Sequence, residues 1–187
     1  MNKKSTARMA WMMWGLASLF VFYKYIIELS PGPLKNDIQN YFGVSITETG
    51  FLISIYYYAY GIMQLPIGLL LDRFGPRLVI LLSLLLCLAG TFILTVIPSS
   101  GFALACLARF VTGLGAATAI IGCMKLISIW FEPQKFAKMA GLMMSVGMIG
   151  AGLSDNIIES VIDHYHLPWQ DLLKWVCYIG VALWFMY

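Results

Sequence analysis

Six long apolar segments run through this sequence, and they limit its fold more than any other feature. Each holds roughly 17–26 residues, enough for a helix that rises about 1.5 Å per residue to cross ~30 Å of hydrocarbon. The segments are predicted at about 10–29, 47–70, 77–97, 102–127, 137–159 and 171–187. The sequence therefore predicts an all-α integral membrane protein with six transmembrane helices.

The composition excludes several other classes of protein. Of the 187 residues, 60% are hydrophobic and 11% are charged, whereas a soluble domain is about half apolar and about a quarter charged. The net charge is +3 and the basic residues are scattered, so no nucleic-acid partner is expected. The sequence contains no P-loop and no nucleophile–base set, which argues against an ATP-driven pump and against an enzyme. No cofactor or metal is expected either, because His164 and His166 alone make a weak metal signal.

The basic residues between the apolar segments predict the orientation in the membrane. Basic residues are enriched in short cytoplasmic loops. One side of the membrane would hold Lys3, Lys4, Arg8, Arg73, Arg77, Lys135 and Lys138, and the other side Lys35 and Lys174. We therefore expect a cytoplasmic N-terminus and a location in the plasma membrane, in a bacterium the inner membrane.

A short motif between the second and third segments indicates the family. Its pattern is Gly68-x-x-x-Asp72-Arg73-x-Gly75-x-Arg77, and it resembles the signature loop of the major facilitator superfamily. Gly75 would permit a tight turn, and Gly68 would let another helix approach closely. The fourth segment carries Arg109-Phe-Val-Thr-Gly113-Leu-Gly115, which is similar to the pattern of that helix in many members.

The resemblance implies both an architecture and an activity. The chain would be the N-terminal six-helix half of a transporter, built from three-plus-three inverted repeats, with the second half absent from this chain. The loop would lock the two halves together on the cytoplasmic side, with Gly68, Asp72, Arg73, Gly75 and Arg77 as its gating residues. Transport would be secondary, by alternating access, with proton-coupled import favoured. Two alternatives remain: a six-span homodimeric carrier that uses a partner chain, or a truncated remnant that does not transport.

Two basic residues lie inside the predicted spans and suggest an anionic substrate. Lys24 is expected ~9 Å from the outer face, and Arg109 ~10 Å from it. Thr112, Gly113 and Ala116 form a small-residue face beside Arg109, which would leave its side chain open space. Two converging cations would bind a small organic anion, such as a carboxylate or a phosphate ester.

Several neighbouring polar residues allow two interpretations. Lys24 could bind substrate, or it could instead only pair with Glu28, four residues later, or extend to the membrane interface. Glu28 and Asp155 are candidate proton carriers, although each could be only an acid at the membrane interface. Tyr56, Tyr60 and Gln64 share one helix face and would line the substrate cavity, or would serve helix packing instead.

Overall fold

The computed structural model describes the backbone of residues 3–165 and 168–187, and within them all side chains except those of 3–7, 155–157, 159, 161–163 and 165. These described residues form eight helices and no strand, so the all-α prediction is confirmed for them. The helices are α1 (Lys3–Leu29), α2 (Lys35–Phe42), α3 (Ile46–Phe74), α4 (Pro76–Val96), α5 (Phe102–Ala116), α6 (Thr118–Trp130), α7 (Pro133–Tyr165) and α8 (Trp169–Met186).

The predicted segments overlap these helices, although α1 and α7 extend beyond theirs, and two further differences appear. The fourth segment is divided at Ala117 into α5 and α6, although the Ala117 amide still donates to the Gly113 carbonyl at 3.2 Å. The short helix α2 was not predicted. It forms in a mostly polar stretch, where Leu34 and Ile38, four residues apart, are both buried.

Four stretches of the described helices are long and apolar enough to cross a membrane. They are Arg8–Leu29, Pro76–Val96, Phe102–Trp130 and Pro133–Ser154. Helices α3 and α8 are long as well, but polar residues such as Gln64 and Lys174 lower their hydropathy. The six-span arrangement therefore stays a prediction.

The helices pack around a shared apolar core. Helix α1 packs against α6, α7 and α8, helix α4 packs against α5, α6 and α8, and helix α3 packs against α5. Small residues allow these close approaches: a Cβ atom on Gly90 would overlap the Thr112 hydroxyl, and one on Gly113 would overlap the Tyr56 carbonyl. The fully buried core side chains include Phe20, Tyr23, Ile80, Leu84, Cys123 and Met143.

Helix α2 is held in place by an aromatic cluster formed by Tyr41, Phe42, Phe102 and Trp169. Ring centroids in this cluster lie 5.0–6.3 Å apart, mostly edge to face. The Tyr41 hydroxyl also donates to the Ile97 carbonyl at 2.8 Å, just beyond the end of α4. The cluster therefore joins α2, α5 and α8 at the end of the bundle that is predicted to face outward.

The turn between α3 and α4 consists of one residue. Gly75 has φ of +79°, a backbone conformation that strains residues with a Cβ atom. Its amide donates to the Leu71 carbonyl at 3.1 Å, and the following Pro76 begins α4. The tight turn predicted at Gly75 is confirmed, and it brings the ends of the two helices together.

Candidate substrate site and gating loop

Lys24 and Arg109 are both buried in the interior of the helix bundle. Lys24 is 3% exposed on α1 and Arg109 is 2% exposed on α5. An ionised side chain inside a membrane helix is costly unless it is paired, so the partners of each residue matter. The two residues meet at Glu28, near the end of α1.

Lys24 pairs with its neighbour on the same helix. Its ammonium forms an ion pair with the Glu28 carboxylate, the partner expected from their spacing. The same ammonium lies 4.2 Å from the centre of the Tyr25 ring and 5.0 Å from that of Tyr60. Lys24 is therefore held by one carboxylate and two aromatic faces, which favour a cation.

Arg109 binds the C-terminal end of α1. Its Nη1 donates to the Ile27 carbonyl at 3.1 Å, and its Nη2 donates to the Glu28 carbonyl at 3.4 Å. The last carbonyls of a helix lack partners within the helix and carry partial negative charge. The guanidinium also lies 4.7 Å from the centre of the Tyr56 ring. Arg109 thus caps α1 and ties it to α3 and α5.

The open space expected beside Arg109 is not there among the described residues, so that expectation was wrong. Gly113 packs against the backbone of α3 at Tyr56, and Thr112 packs against Gly90 of α4. The cavity that Arg109 does line has a volume of about 20 Å³, room for about one water molecule. The small-residue face serves close helix packing, which a single sequence cannot distinguish from a cavity wall.

The three polar residues predicted on one face of α3 have different surroundings. Tyr56 is fully buried, Tyr60 is half-buried and Gln64 is exposed. The Tyr56 and Tyr60 rings stack with centroids 6.2 Å apart and planes at 18°. With the two cations they form a row in the order Lys24, Tyr60, Tyr56, Arg109. The sequence did not predict a role for Tyr25, because its position next to Lys24 is the only feature that points to their contact.

Asp155, the second candidate proton carrier, belongs to α7, but its side chain lies outside the described residues. The neighbouring Ser154 hydroxyl donates to the Ile26 carbonyl at 3.5 Å. This contact places that part of α7 beside the end of α1.

The loop between α3 and α4 carries an ion pair that the sequence did not predict. The Asp72 carboxylate accepts a hydrogen bond from the Lys125 ammonium on α6 at 2.9 Å, and the two side chains are 66% and 42% exposed. The Arg77 Nε donates to the Tyr187 carbonyl at 3.1 Å, and Arg73 lies over the Phe74 ring at 5.4 Å. The sequence shows Lys125 at the predicted cytoplasmic end of the fourth segment, but nothing in the sequence connects it with Asp72.

Gly68 faces open space in the part of the chain that the structure describes. A Cβ atom added there would meet no atom within 4 Å. The close helix approach predicted at Gly68 is therefore not made by these residues, and it stays a prediction for a second half or a partner chain.

Comparison with protein families decides what kind of protein this is. The sequence model of the Major Facilitator Superfamily matches residues 7–185, nearly the whole chain. The chain belongs to the major facilitator superfamily. It is therefore a multi-pass membrane protein of a family of transporters, not an enzyme.

Several curated relatives within the superfamily are named as transporters of organic anions. A probable L-galactonate transporter of Escherichia coli K12 is 30% identical over 91% of this chain and 38% of its own length. A probable galactarate/D-glucarate transporter of Bacillus subtilis is 30% identical over 72% of this chain and 30% of its own length. A probable sulfoacetate transporter of Cupriavidus necator is 24% identical over 81% of this chain and 35% of its own length. This superfamily chain spans about a third of the length of these relatives.

Proposed function

We propose that this chain forms the N-terminal six-helix half of a secondary transporter that imports a small organic anion together with protons. We infer an anionic substrate from the relatives that are named for galactonate, galactarate or glucarate, and sulfoacetate. Each of these compounds is a small anion with a carboxylate group. Of the two buried cations, Lys24 has the charge to bind such a group, and Arg109 is engaged by carbonyls at the end of α1.

The helix contacts support six spans arranged as two inverted repeats. In such an arrangement the first three spans correspond to the last three. The contact of α1 with α7 then corresponds to the contact of α5 and α6 with α3, and both contacts are present. In this proposal α3 and α8 are the remaining two spans, and the substrate site lies between this half and a second half.

We assign the predicted site residues two roles according to their burial. Tyr60 and Gln64 would contact the substrate, since Tyr60 is only half-buried and Gln64 is exposed. Lys24 is itself buried, but its ammonium lies 5.0 Å from the centre of the half-buried Tyr60 ring, so the substrate would reach it beside that ring. Arg109 and Tyr56 are fully enclosed, and they would hold α1 and α3 in the geometry that presents Lys24. Glu28 and Asp155 would be the candidate proton carriers.

The exposed loop at Asp72 would act as the gate between the halves. Asp72 is mostly exposed although it is paired, so a second half can reach it. Gly68 presents an open helix face close to it. Arg73, Gly75 and Arg77 would fix the shape of the turn on the cytoplasmic side of a bacterial inner membrane, with the N-terminus on the same side.

An uptake assay tests this function. Cells that produce the full-length protein are given radiolabelled L-galactonate, D-glucarate or sulfoacetate, with and without a protonophore. We expect accumulation of at least one of these anions, and its loss when the proton gradient collapses. Cells that do not produce the protein are the control for endogenous uptake. Equal uptake by producing and non-producing cells for every anion would refute the proposal.

A further inference from the structure

Glu28 occupies the position that a substrate carboxylate would need. The Lys24 side chain is 4% exposed and its partner Glu28 is 12% exposed, so the carboxylate shields the ammonium. We propose that Glu28 is an internal competitor of the substrate: its carboxylate holds Lys24 until it is protonated, and the substrate carboxylate then takes its place. This inference rests on the proposed function, and it names the residue that couples the anion to the proton.

Glu28 is the group that a substrate anion must displace from Lys24. Among the described side chains, Glu28 is the one carboxylate within ion-pair distance of Lys24. The other neighbours of the ammonium are the neutral rings of Tyr25 and Tyr60. These rings can stay in contact with the cation whichever carboxylate it binds. An arriving anion therefore exchanges with Glu28 alone.

The energetics of buried charges explain why the exchange needs a proton. Moving Glu28 away from Lys24 while it is still ionised would leave an unpaired charge in a low dielectric, which is strongly unfavourable. In the proposed step the Glu28 carboxylate takes one proton from the outer aqueous phase, and the substrate carboxylate pairs with the Lys24 ammonium. The site holds one positive and one negative charge before and after the step. One proton therefore enters for each substrate molecule whose carboxylate replaces Glu28 at Lys24.

The described groups that face Glu28 are cations and phenols, so none of them is a second carboxylate. They are Lys24 and Tyr25 on α1, Tyr56, Tyr57 and Tyr60 on α3, and Arg109 on α5. Phenols keep their protons and guanidinium groups keep their charge at neutral pH. From α7, the described Ser154 carries no charge, and the Asp155 side chain lies outside the described residues. Asp155 is for this reason included in the test.

The test measures anion affinity against pH in the purified full-length protein. L-galactonate, D-glucarate and sulfoacetate are titrated by calorimetry from about pH 5 to about pH 8. For the wild type, the Kd of the anion that binds should rise about tenfold per pH unit once Glu28 is ionised. Glu28→Gln should bind with a Kd that is independent of pH and near the lowest wild-type value, because Lys24 is then always free.

Three further variants separate the outcomes. Asp171→Asn removes an acid from an exposed pair with Lys174 and should keep the wild-type pH dependence. Glu28→Asp keeps a titratable group and should keep a pH dependence, which protects the test if Glu28→Gln folds poorly. Loss of the pH dependence in Asp155→Asn, with Glu28→Gln unchanged from the wild type, would overturn the inference.

Three results separate a failure of this inference from a failure of the proposed function. A wild type that binds none of the three anions at any pH would refute both. A wild type that binds an anion, with a Glu28→Gln variant that has the same affinity and pH dependence, would refute the inference alone. A Glu28→Gln protein that is folded but no longer binds the anion would also refute it, because the pair would then be structural.

Discussion

Arg109 shows how both terminal nitrogens of a buried guanidinium can be hydrogen-bonded without a carboxylate, while its Nε has no partner among the described residues. Its two hydrogen bonds go to carbonyl oxygens in the last turn of α1, and its plane lies over Tyr56. The terminal carbonyls of a helix attract a cation, and the guanidinium matches two of them at once. We therefore regard Arg109 as a positioning residue that fixes the end of α1 where Lys24 and Glu28 are found.

Replacing Arg109 should destabilise the protein even without substrate. Arg109→Gln leaves the carbonyls of Ile27 and Glu28 without a charged donor, at a cost of about 1–3 kcal/mol. Arg109→Lys keeps the charge but loses the planar fork, so its loss should be smaller. The measurement is the melting temperature in detergent, with and without L-galactonate. Unchanged stability without ligand, together with lost stabilisation by the ligand, would instead make Arg109 a substrate contact.

The sequence predicts residue contacts within a helix far better than contacts between helices. The pairing of Lys24 with Glu28 follows from a spacing of four residues on one helix. The contact of Arg109 with Ile27 joins residues 82 positions apart and depends on how α5 meets α1. For the same reason the ion pair of Asp72 with Lys125 carried no sequence signal.

At the scale of helices, the glycine pattern of α5 sets how closely α3 and α5 approach. Gly113→Ala should lower the free energy of unfolding by about 1–3 kcal/mol, because its Cβ would overlap the Tyr56 carbonyl and force the helices apart. Gly141→Ala on α7 is the matched control, since a Cβ there meets nothing within 4 Å. It should be neutral, or stabilising by up to about 1 kcal/mol. Equal melting temperatures for the two variants would contradict the observed helix contact.

Removing the charge of Asp72 should leave the stability of the protein unchanged but should impair its transport. An exposed ion pair such as that of Asp72 with Lys125 contributes about 0–1 kcal/mol, so Asp72→Asn should keep its melting temperature and its membrane insertion. Its transport rate should fall, because the exposed carboxylate is lost from the gate. Lys125→Gln removes the other partner and leaves Asp72 charged, so it should transport faster than Asp72→Asn. If Asp72→Asn transported at the wild-type rate, the loop would set only the orientation of the helices in the membrane and would not act as a gate.

At the scale of helices, two features could not be predicted from the sequence: helix α2 and the break at Ala117. The apolar pattern located the long helices because it repeats over many residues. Helix α2 depends on two apolar residues and on an aromatic cluster shared with α5 and α8, contacts that are distant in sequence. The break at Ala117 lies inside a uniformly apolar run, so hydropathy gives no sign of it.

For the whole molecule, the predicted orientation can be read by chemical labelling. The four native cysteines are buried, so replacing them with alanine gives a suitable background. A cysteine placed at Ser99, between α4 and α5, should react with an impermeant thiol reagent added outside intact cells. A cysteine at Phe74, beside the turn between α3 and α4, should react only after the cells are opened. The reverse pattern would invert the topology and remove the assignment of the Asp72 loop to the cytoplasm.

The central claim is that this chain belongs to a transporter in which an organic anion and a proton move together. The most direct measurement is uptake by proteoliposomes that contain the purified full-length protein and no other transporter. With an inward proton gradient, L-galactonate, D-glucarate or sulfoacetate should accumulate, and the interior should acidify by one proton for each substrate molecule that enters. Accumulation that needs no proton gradient and causes no acidification would contradict the coupling, and no uptake of any of the three anions would contradict the account as a whole.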